Sequence, residues 1–209
     1  MRTVPSRGFT LIELVVTLAV AAILLGVGVP SFTAMVRDGR MEAAASELNL
    51  ALYLARSEAV KRAGTAGVRA VTVCARATDT RCSTDPDDWE NGWIVFADTD
   101  LDPGDADAEI GPNDTILRVA DPVNEAIDIA SFFSTNRTAS AGAPRNHLSY
   151  RGTGRTNWEN GHFALCDERE AVRWRALNVS LTGDIRRARP NAARDALVDA
   201  FGRDIRSCA

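Results

Sequence analysis

The sequence has few of the side chains on which most enzymes depend. Its 209 residues include only two histidines, and they contain no nucleophile motif and no glycine-rich phosphate loop. A single lysine, Lys61, stands among 24 basic residues, so arginine carries almost all of the positive charge. The composition, with 45% hydrophobic and 25% charged residues, is typical of a globular protein and excludes wholesale disorder. We therefore interpret the protein as a non-enzyme.

The modest net charge of −4 conceals a strong segregation of charge along the chain. Residues 79–114 contain twelve acidic residues and one arginine, whereas residues 129–158 contain four arginines and no acid. Residues 169–194 contain seven arginines against two acids. Binding partners must therefore be inferred from these charged segments rather than from the net charge of the chain.

The amino terminus combines a basic start with a long apolar run. Residues 14–29 are apolar except for Thr17. A secretory signal peptide would end in a small-residue cleavage site, but this run ends in Val-Pro-Ser-Phe and passes into a helical pattern. A buried helix of a soluble protein would carry a polar face, which the run lacks. The run therefore predicts a membrane helix with Glu13 near hydrocarbon, where a lone carboxylate needs a partner.

The residues around this carboxylate form an ordered motif. Arg7-Gly8-Phe9-Thr10-Leu11-Ile12-Glu13 resembles the class III signal of type IV prepilins and pseudopilins. The resemblance implies that a prepilin peptidase cuts between Gly8 and Phe9 and methylates Phe9. It also implies that Glu13 pairs with the amino terminus of a neighbouring subunit, where the two charges neutralise each other.

The same resemblance predicts the organisation and location of the chain. Residues 1–8 are expected to be a leader, 9–30 the transmembrane half of a helix, 31–64 its amphipathic half and 65–209 the head. The protein is expected in the bacterial inner membrane as a single-pass protein with a periplasmic or extracellular head. From there it would enter a pilus or a pseudopilus with other pilin or pseudopilin subunits.

Periodicity predicts an α+β fold. An apolar stripe recurs every three or four residues and predicts one helix from Phe9 to about Arg62, capped by Gly64 and carrying Met41, Ala44, Ala45, Leu48, Leu52, Ala55 and Ala59. Pro30 predicts a kink or local melting. Six short strands follow, at residues 68–75, 93–97, 115–119, 147–150, 162–166 and 174–181, with a mobile loop at 131–145. These elements give a long helix followed by an antiparallel sheet. Together with the resemblance to prepilins, they imply a type IV pilin-like fold, in which the long N-terminal helix, with its transmembrane first half, packs on an antiparallel β-sheet head.

Motifs along the head indicate a narrower family. Their order is Cys74, Cys82, Trp89-Glu90-Asn91-Gly92-Trp93-Ile94-Val95-Phe96-Ala97-Asp98, Ile116-Leu117-Arg118, Gly161 to Asp167, and Ser180 to Gly183. This series resembles the GspH/FimT family and is most similar to FimT-type minor pilins. It implies a minor type IV pilin. The alternative is a GspH-type minor pseudopilin, a structural subunit of the type II secretion pseudopilus.

The arginine-rich end of the head is a candidate for DNA binding. FimT-type pilins carry a Gly-Arg-x-Arg element that binds DNA during natural transformation. Here Asp184 follows Gly183 in place of the first arginine, and Arg186 matches the second. The resemblance implies a DNA contact from Arg186. We add its basic neighbours in sequence as candidates for DNA contacts, and they are Arg187, Arg189, Arg173, Arg175 and Arg194. The planar guanidinium of arginine can bind the phosphates of DNA whatever the base sequence. The alternative is that these arginines form a solvated cationic face without a ligand, and Asp184 favours that alternative.

Four cysteines follow the membrane helix, and an even number in an exported head indicates two disulfides. Three connectivities are open. We favour Cys74 with Cys82, which closes a short hairpin, and Cys166 with Cys208, which ties down the tail. A zinc site is not favoured, because neither His147 nor His162 forms a zinc-like spacing with them.

One acidic segment has the spacing of a calcium loop. Asp98, Asp100, Asp102 and Glu109 lie at offsets 1, 3, 5 and 12, as in an EF-hand. Pro103 stands where that loop needs glycine, and strands rather than helices flank the segment. We favour a solvated acidic turn, with calcium as the alternative, and expect no other cofactor.

Proteolytic processing is the first prediction. We expect mass spectrometry of the membrane-extracted protein to find residues 1–8 removed and Phe9 N-methylated, because the motif and the apolar run adjoin as in prepilins. Cleavage beyond Ser31, which would release a soluble head, would contradict the family interpretation.

Overall fold

The computed structural model describes residues 8–65, 67–100, 108–134, 143–199, 201–205 and 208. The chain divides into two compact units, residues 1–39 and 40–209. Helix α1, Leu11–Lys61, contributes its first part to one unit and its second part to the other. Each unit is described by itself.

The first unit is helical and exposes its apolar side chains. Leu11, Ile12 and Ile23 are 81%, 68% and 68% exposed, and this stretch is long and apolar enough to cross a membrane. The helix continues through Pro30, so the expectation of local melting was wrong. Pro30 removes one backbone donor, but the turns on either side keep their own hydrogen bonds. The leader lies outside the described residues apart from Gly8.

The second part of α1 buries the predicted stripe. All seven stripe residues are at most 7% exposed, and Ala51 joins them. The helical hydrogen-bond pattern continues to the end of the helix, since the amide of Arg62 donates to the Glu58 carbonyl. Gly64 follows with φ of 83°, the left-handed conformation that a helix-ending glycine adopts, so the predicted cap is confirmed.

Within the residues that the structure describes, twelve short strands follow the helix. Their ranges are β1 Ala70–Thr78, β2 Arg81–Cys82, β3 Trp93–Asp98, β4 Thr115–Val119, β5 Asp128–Ser134, β6 Ala143–Pro144, β7 His147–Arg151, β8 Asn160–Cys166, β9 Arg175–Val179, β10 Ile185–Arg187, β11 Leu197–Val198 and β12 Asp204–Ile205. Short 3-10 helices cover Asp88–Asn91 and Ala171–Arg173. All strand pairs are antiparallel, as the sequence predicted.

The strands form two five-stranded sheets and a terminal hairpin. The first sheet has the order β2-β1-β3-β4, with β7 also paired to β1, and the second has the order β10-β9-β8-β5-β6. In the first sheet Val73 lies opposite both Val95 and Leu148. The inner faces of both sheets and the stripe of α1 share one hydrophobic cluster, which includes Trp89, Trp93 and Phe163. The helix is thus the common support of both sheets.

The six predicted strands are all present, but β5 and the short strands β2, β6, β10, β11 and β12 lie outside the predicted ranges. Residues 128–134 form a strand paired with β8, so the expected mobile loop is wrong at 131–134 and at 143–144, where β6 lies. The rest of that loop, 135–142, lies outside the described residues. Serine, threonine, asparagine, alanine, glycine and proline make up most of residues 131–145, a composition that is typical of a loop. In the structure Gly161 on β8 lies so close to β5 that a Cβ atom at Gly161 would collide with the Phe132 carbonyl.

Glu159 is a carboxyl group buried just before β8. It is 3% exposed, and its Oε2 has no hydrogen-bond partner among the described residues. Burial raises the pKa of Glu159 to about 8, although the charge of Arg145 acts in the opposite direction. The folded chain therefore holds this proton more tightly than the unfolded chain does, and the stability that results is complete below the ordinary pKa and is lost as the pH rises toward 8.

This group gives a prediction on stability. We expect Glu159→Gln to unfold at a higher temperature than the wild type at pH 8 and at a similar temperature at pH 5, because the amide has no proton to lose. Circular dichroism melts of the full chain in detergent would measure it, with exposed Glu125→Gln as the matched control. Equal shifts at both pH values would contradict the assignment.

Candidate functional site

The start of α1 is a capping box. The amide of Glu13 donates to the hydroxyl of Thr10 at 3.3 Å, and the amide of Thr10 lies 3.5 Å from Oε2 of Glu13. Thr10 thus caps the helix, and Glu13 reaches back to the amide of the capping residue. Both side chains are exposed, as is Phe9 at 88%.

The sequence analysis did not identify this box. The signal was present, since threonine followed three residues later by glutamate before an apolar run is its pattern. The box places the carboxylate at the positive end of the helix dipole, beside the residue that would become the amino terminus after cleavage. Glu13 therefore holds a position from which it can meet a positive amino group.

The six arginines predicted to contact DNA lie on or next to the last strands of the second sheet. Arg175 is on β9, and Arg186 and Arg187 are on β10. Arg173 lies in the preceding 3-10 helix, and the other two, Arg189 and Arg194, follow β10. Neighbouring side chains of β10 lie on opposite faces of the strand, because Arg187 contacts Glu42 of α1 whereas Arg186 contacts Asp184.

Glu42 on α1 binds two of these arginines. The Arg175 Nε lies 3.1 Å from Oε2 of Glu42, and Arg187 pairs with the other carboxylate oxygen. Arg187 also donates to the Ser46 hydroxyl at 3.1 Å. Burial acts to raise the pKa of Glu42, but the hydrogen bonds and charges of Arg187 and Arg175 outweigh it and hold the pKa below its usual value. These two arginines therefore link α1 to the second sheet.

Asp184 binds a third arginine of the set. Arg186, with a side chain 79% exposed, lies 3.0 Å from Oδ2 of Asp184, and Arg56 of α1 lies 3.4 Å from Oδ1. The hydrogen bonds from Arg186 and then Arg56 lower the pKa of Asp184. The acid in place of the family's first arginine thus partly neutralises the second.

The remaining three arginines are exposed. Within the described part of the chain, the side chains of Arg173, Arg189 and Arg194 form no ion pair. A groove of about 850 Å³ runs beside β10 and is lined by Arg186, Arg189 and Asp199, among others. Its walls carry both signs of charge, so only part of the predicted cluster remains available to an anion.

The acidic segment with calcium-loop spacing groups different carboxylates in the structure. Asp98 and Asp100 lie together with Asp114, and Glu109 is not a member of this group. Asp102 lies outside the described residues. The carboxylate of Asp114 accepts the amide and hydroxyl of Thr99 at 2.9 and 2.8 Å, so it holds the two ends of the loop together. Burial first, and the charge of Asp114 in addition, raise the pKa of Asp98 to about 6, although a hydrogen bond from Thr72 opposes them.

The cysteines are paired as favoured. Cys74 is joined to Cys82, and Cys166 to Cys208. His162, on the same strand as Cys166, is buried and stacks near Phe132 at 5.4 Å. Burial lowers the pKa of His162 to about 4, so it is a neutral core residue at neutral pH.

Two family profiles match the chain, one over most of the head and one over the amino-terminal segment. The profile of the family described as type II transport protein GspH matches residues 44–183, and that of the prokaryotic N-terminal methylation motif matches residues 5–29. A search of curated proteins found no match.

Two crystal structures of the type IV minor pilin FimU from Pseudomonas aeruginosa are similar to the chain. They are 23% and 22% identical to it, cover 80% and 84% of it and 99% of FimU, and give TM-scores of 0.46 and 0.49.

Proposed function

Because the chain belongs to the GspH family and begins with an N-terminal methylation motif, we propose that it is a minor type IV pilin. In this proposal a prepilin peptidase processes it at the inner membrane, and it then enters a pilus with other pilin subunits. The family is a structural one, and its type IV pilin-like fold is that of a filament subunit.

The observation that carries the proposal is the exposed apolar helix of the first unit. Side chains such as Leu11, Ile12, Leu24 and Leu25 are at least 64% exposed. Such a surface is costly in water and calls for lipid before assembly and for neighbouring helices after it. One segment thus serves as the membrane anchor and later as the core of the filament.

Glu13 would select the register of that assembly. A carboxylate among apolar helices is tolerated when an opposite charge meets it, and the amino group of N-methyl-Phe9 on an adjacent subunit is such a charge. The capping box keeps the Glu13 side chain at the helix start, where amino termini meet in a bundle of parallel helices.

The role of Glu13 gives a prediction. We expect Glu13→Ala to insert into the membrane normally but to enter filaments at least about tenfold less, because the partner charge loses its mate. Immunoblots of sheared filaments and of membranes would give the ratio.

A matched variant separates charge from helix capping. Glu13→Gln keeps the capping hydrogen bond but loses the charge, since glutamine also serves in capping boxes. We expect it to be as defective as the alanine variant. Normal incorporation of either variant would contradict the role assigned to Glu13.

The rival within the same fold is a GspH-type minor pseudopilin of the type II secretion pseudopilus. It would use the same helix and the same Glu13. Filament fractions from pili and from secretion pseudopili distinguish the two proposals, since the protein should be recovered with only one of them.

DNA contact is a second candidate function. It is supported by the exposure of Arg186 and by the three arginines that form no ion pair in the described part of the chain. It would serve DNA uptake in natural transformation, because phosphate contacts carry no sequence preference.

The number of exposed arginines predicts how steeply DNA binding weakens with salt. We expect binding of duplex DNA by the full chain to fall with salt at a log-log slope of roughly −3, for about three phosphate contacts. Arg189→Glu with Arg194→Glu should abolish it, whereas Arg187→Gln should have little effect, because Arg187 is bound to Glu42. Gel shifts at low salt test both. Equal retardation by the reversed variant would contradict a DNA surface here.

A further inference from the structure

The turn between β9 and β10 is held in place by contacts within it and across it. Within the turn, the amide of Gly183 donates to the Ser180 carbonyl at 2.8 Å, and the amide of Asp184 donates to the Ser180 hydroxyl at 3.2 Å. Across the turn, a Cβ atom at Gly183 would collide with the carbonyl oxygen of Gly154, so the turn packs directly on the loop after β7. The backbone that carries the Asp184 side chain therefore has a fixed position.

Arg56 of α1 holds the same turn from the helix. Its Nε donates to the Gly154 carbonyl at 3.1 Å, and one of its terminal nitrogens donates to the Thr182 carbonyl at 3.2 Å. The other terminal nitrogen lies 3.4 Å from Oδ1 of Asp184. Because two of these three bonds go to backbone carbonyls, we expect Arg56 to keep its position when the carboxylate is absent.

Arg186 binds the second oxygen of the same carboxylate. One of its terminal nitrogens lies 3.0 Å from Oδ2 of Asp184, so each oxygen of the carboxylate meets a different arginine. Two guanidiniums that converge on one point form an anion site, because each keeps its charge and directs several N–H donors at the anion. In this structure the anion in that site is a side chain of the protein itself.

Other charged residues of the groove beside β10 are bound elsewhere. Two carboxylates are among the described residues that line it, Asp184 and Asp199. Asp199 is buried and pairs with Arg203 at 2.7 Å. Arg187, which also lines the groove, pairs with Glu42. Of the two lining carboxylates, Asp184 is therefore the one that competes with an outside anion for an arginine of the groove.

We propose that Asp184 is an internal competitor of DNA: its carboxylate fills the anion site between Arg56 and Arg186, and a phosphate group of the DNA backbone takes its place on binding. The proposal rests on DNA contact as a function of this groove and assigns the regulation of that contact. Each phosphate of the backbone carries one negative charge, as the carboxylate does, so the exchange leaves the charge in the site unchanged.

The exposure of the ion pair makes this exchange feasible. The side chain of Asp184 is 47% exposed and that of Arg186 is 79% exposed, and an ion pair so open to water is weak because solvent screens it. DNA presents a row of phosphates, and Arg189, which lines the same groove, is placed to bind a second one. The competitor therefore lowers the affinity for DNA without abolishing it.

Removal of the carboxylate charge tests the competition. Asp184→Asn keeps the size of the side chain, and we expect the full chain in detergent to bind a labelled DNA duplex about fivefold more tightly than the wild type at low salt. Fluorescence anisotropy would measure the affinity. Asp195→Asn is the matched control, because it removes one charge from the same arginine-rich segment, where Asp195 accepts a hydrogen bond from Asn191 at 2.7 Å. The control should change the affinity by less than about twofold.

Two further measurements separate the anion site from a change in net charge. When Arg186→Gln is present in both proteins, the gain from Asp184→Asn should fall below about twofold, because the freed arginine is the group that gains the phosphate. Inorganic phosphate probes the site without DNA. Compared with chloride at equal ionic strength, it should raise the unfolding temperature of Asp184→Asn more than that of the wild type, because a ligand of the folded chain stabilises it.

Two results would overturn the proposal. One is equal DNA affinity of Asp184→Asn and the wild type, which would leave DNA contact intact and make the ion pair purely structural. The other is a gain of the same size in the presence of Arg186→Gln. If neither protein binds DNA, phosphate decides. A larger phosphate shift for Asp184→Asn would support the anion site and remove DNA as its ligand, whereas equal shifts would overturn the site as well.

Discussion

The packing of two sheets on one helical stripe is the contact on which the head depends. Five alanines of the helix, Ala44, Ala45, Ala51, Ala55 and Ala59, belong to this buried cluster. The larger side chains of Met41, Leu48 and Leu52 belong to it as well and are fully buried. Without the helix, the inner faces of both sheets would lose the apolar side chains that the stripe contributes to the shared cluster. The segment that enters the filament and the segment that supports the head are thus parts of one helix.

Arginine has a structural role in this head as well as a surface role. Arg56 of α1 donates to the carbonyls of Gly154 and Thr182 at 3.1 and 3.2 Å and also meets Asp184. Arg175 and Arg187 tie the second sheet to Glu42 in the same way. A planar guanidinium with five donors can join several loops at once, which lysine cannot. A high arginine content therefore does not by itself measure affinity for nucleic acid.

Much of the architecture was determined by the sequence alone. The apolar run, the motif through Glu13, the stripe from Met41 to Ala59 and the cap at Gly64 are local patterns, and local patterns suffice for a helix because its hydrogen bonds join residues four apart. The six predicted strands followed from another local signal, the β-branched and aromatic residues that lie between turn residues. The disulfide pairing was favoured because one bridge would close a short hairpin and the other would hold the tail.

Only the tertiary structure decided which charges remain available. Glu42 and Arg187 are far apart in sequence, and no spacing rule pairs them, yet the contact removes an arginine from the predicted DNA surface. The same holds for β5, whose serine and alanine residues indicate a loop until β8 supplies the partner strand. Ion pairs and sheet partners depend on distance in space, and the sequence pattern determines distance only along the chain.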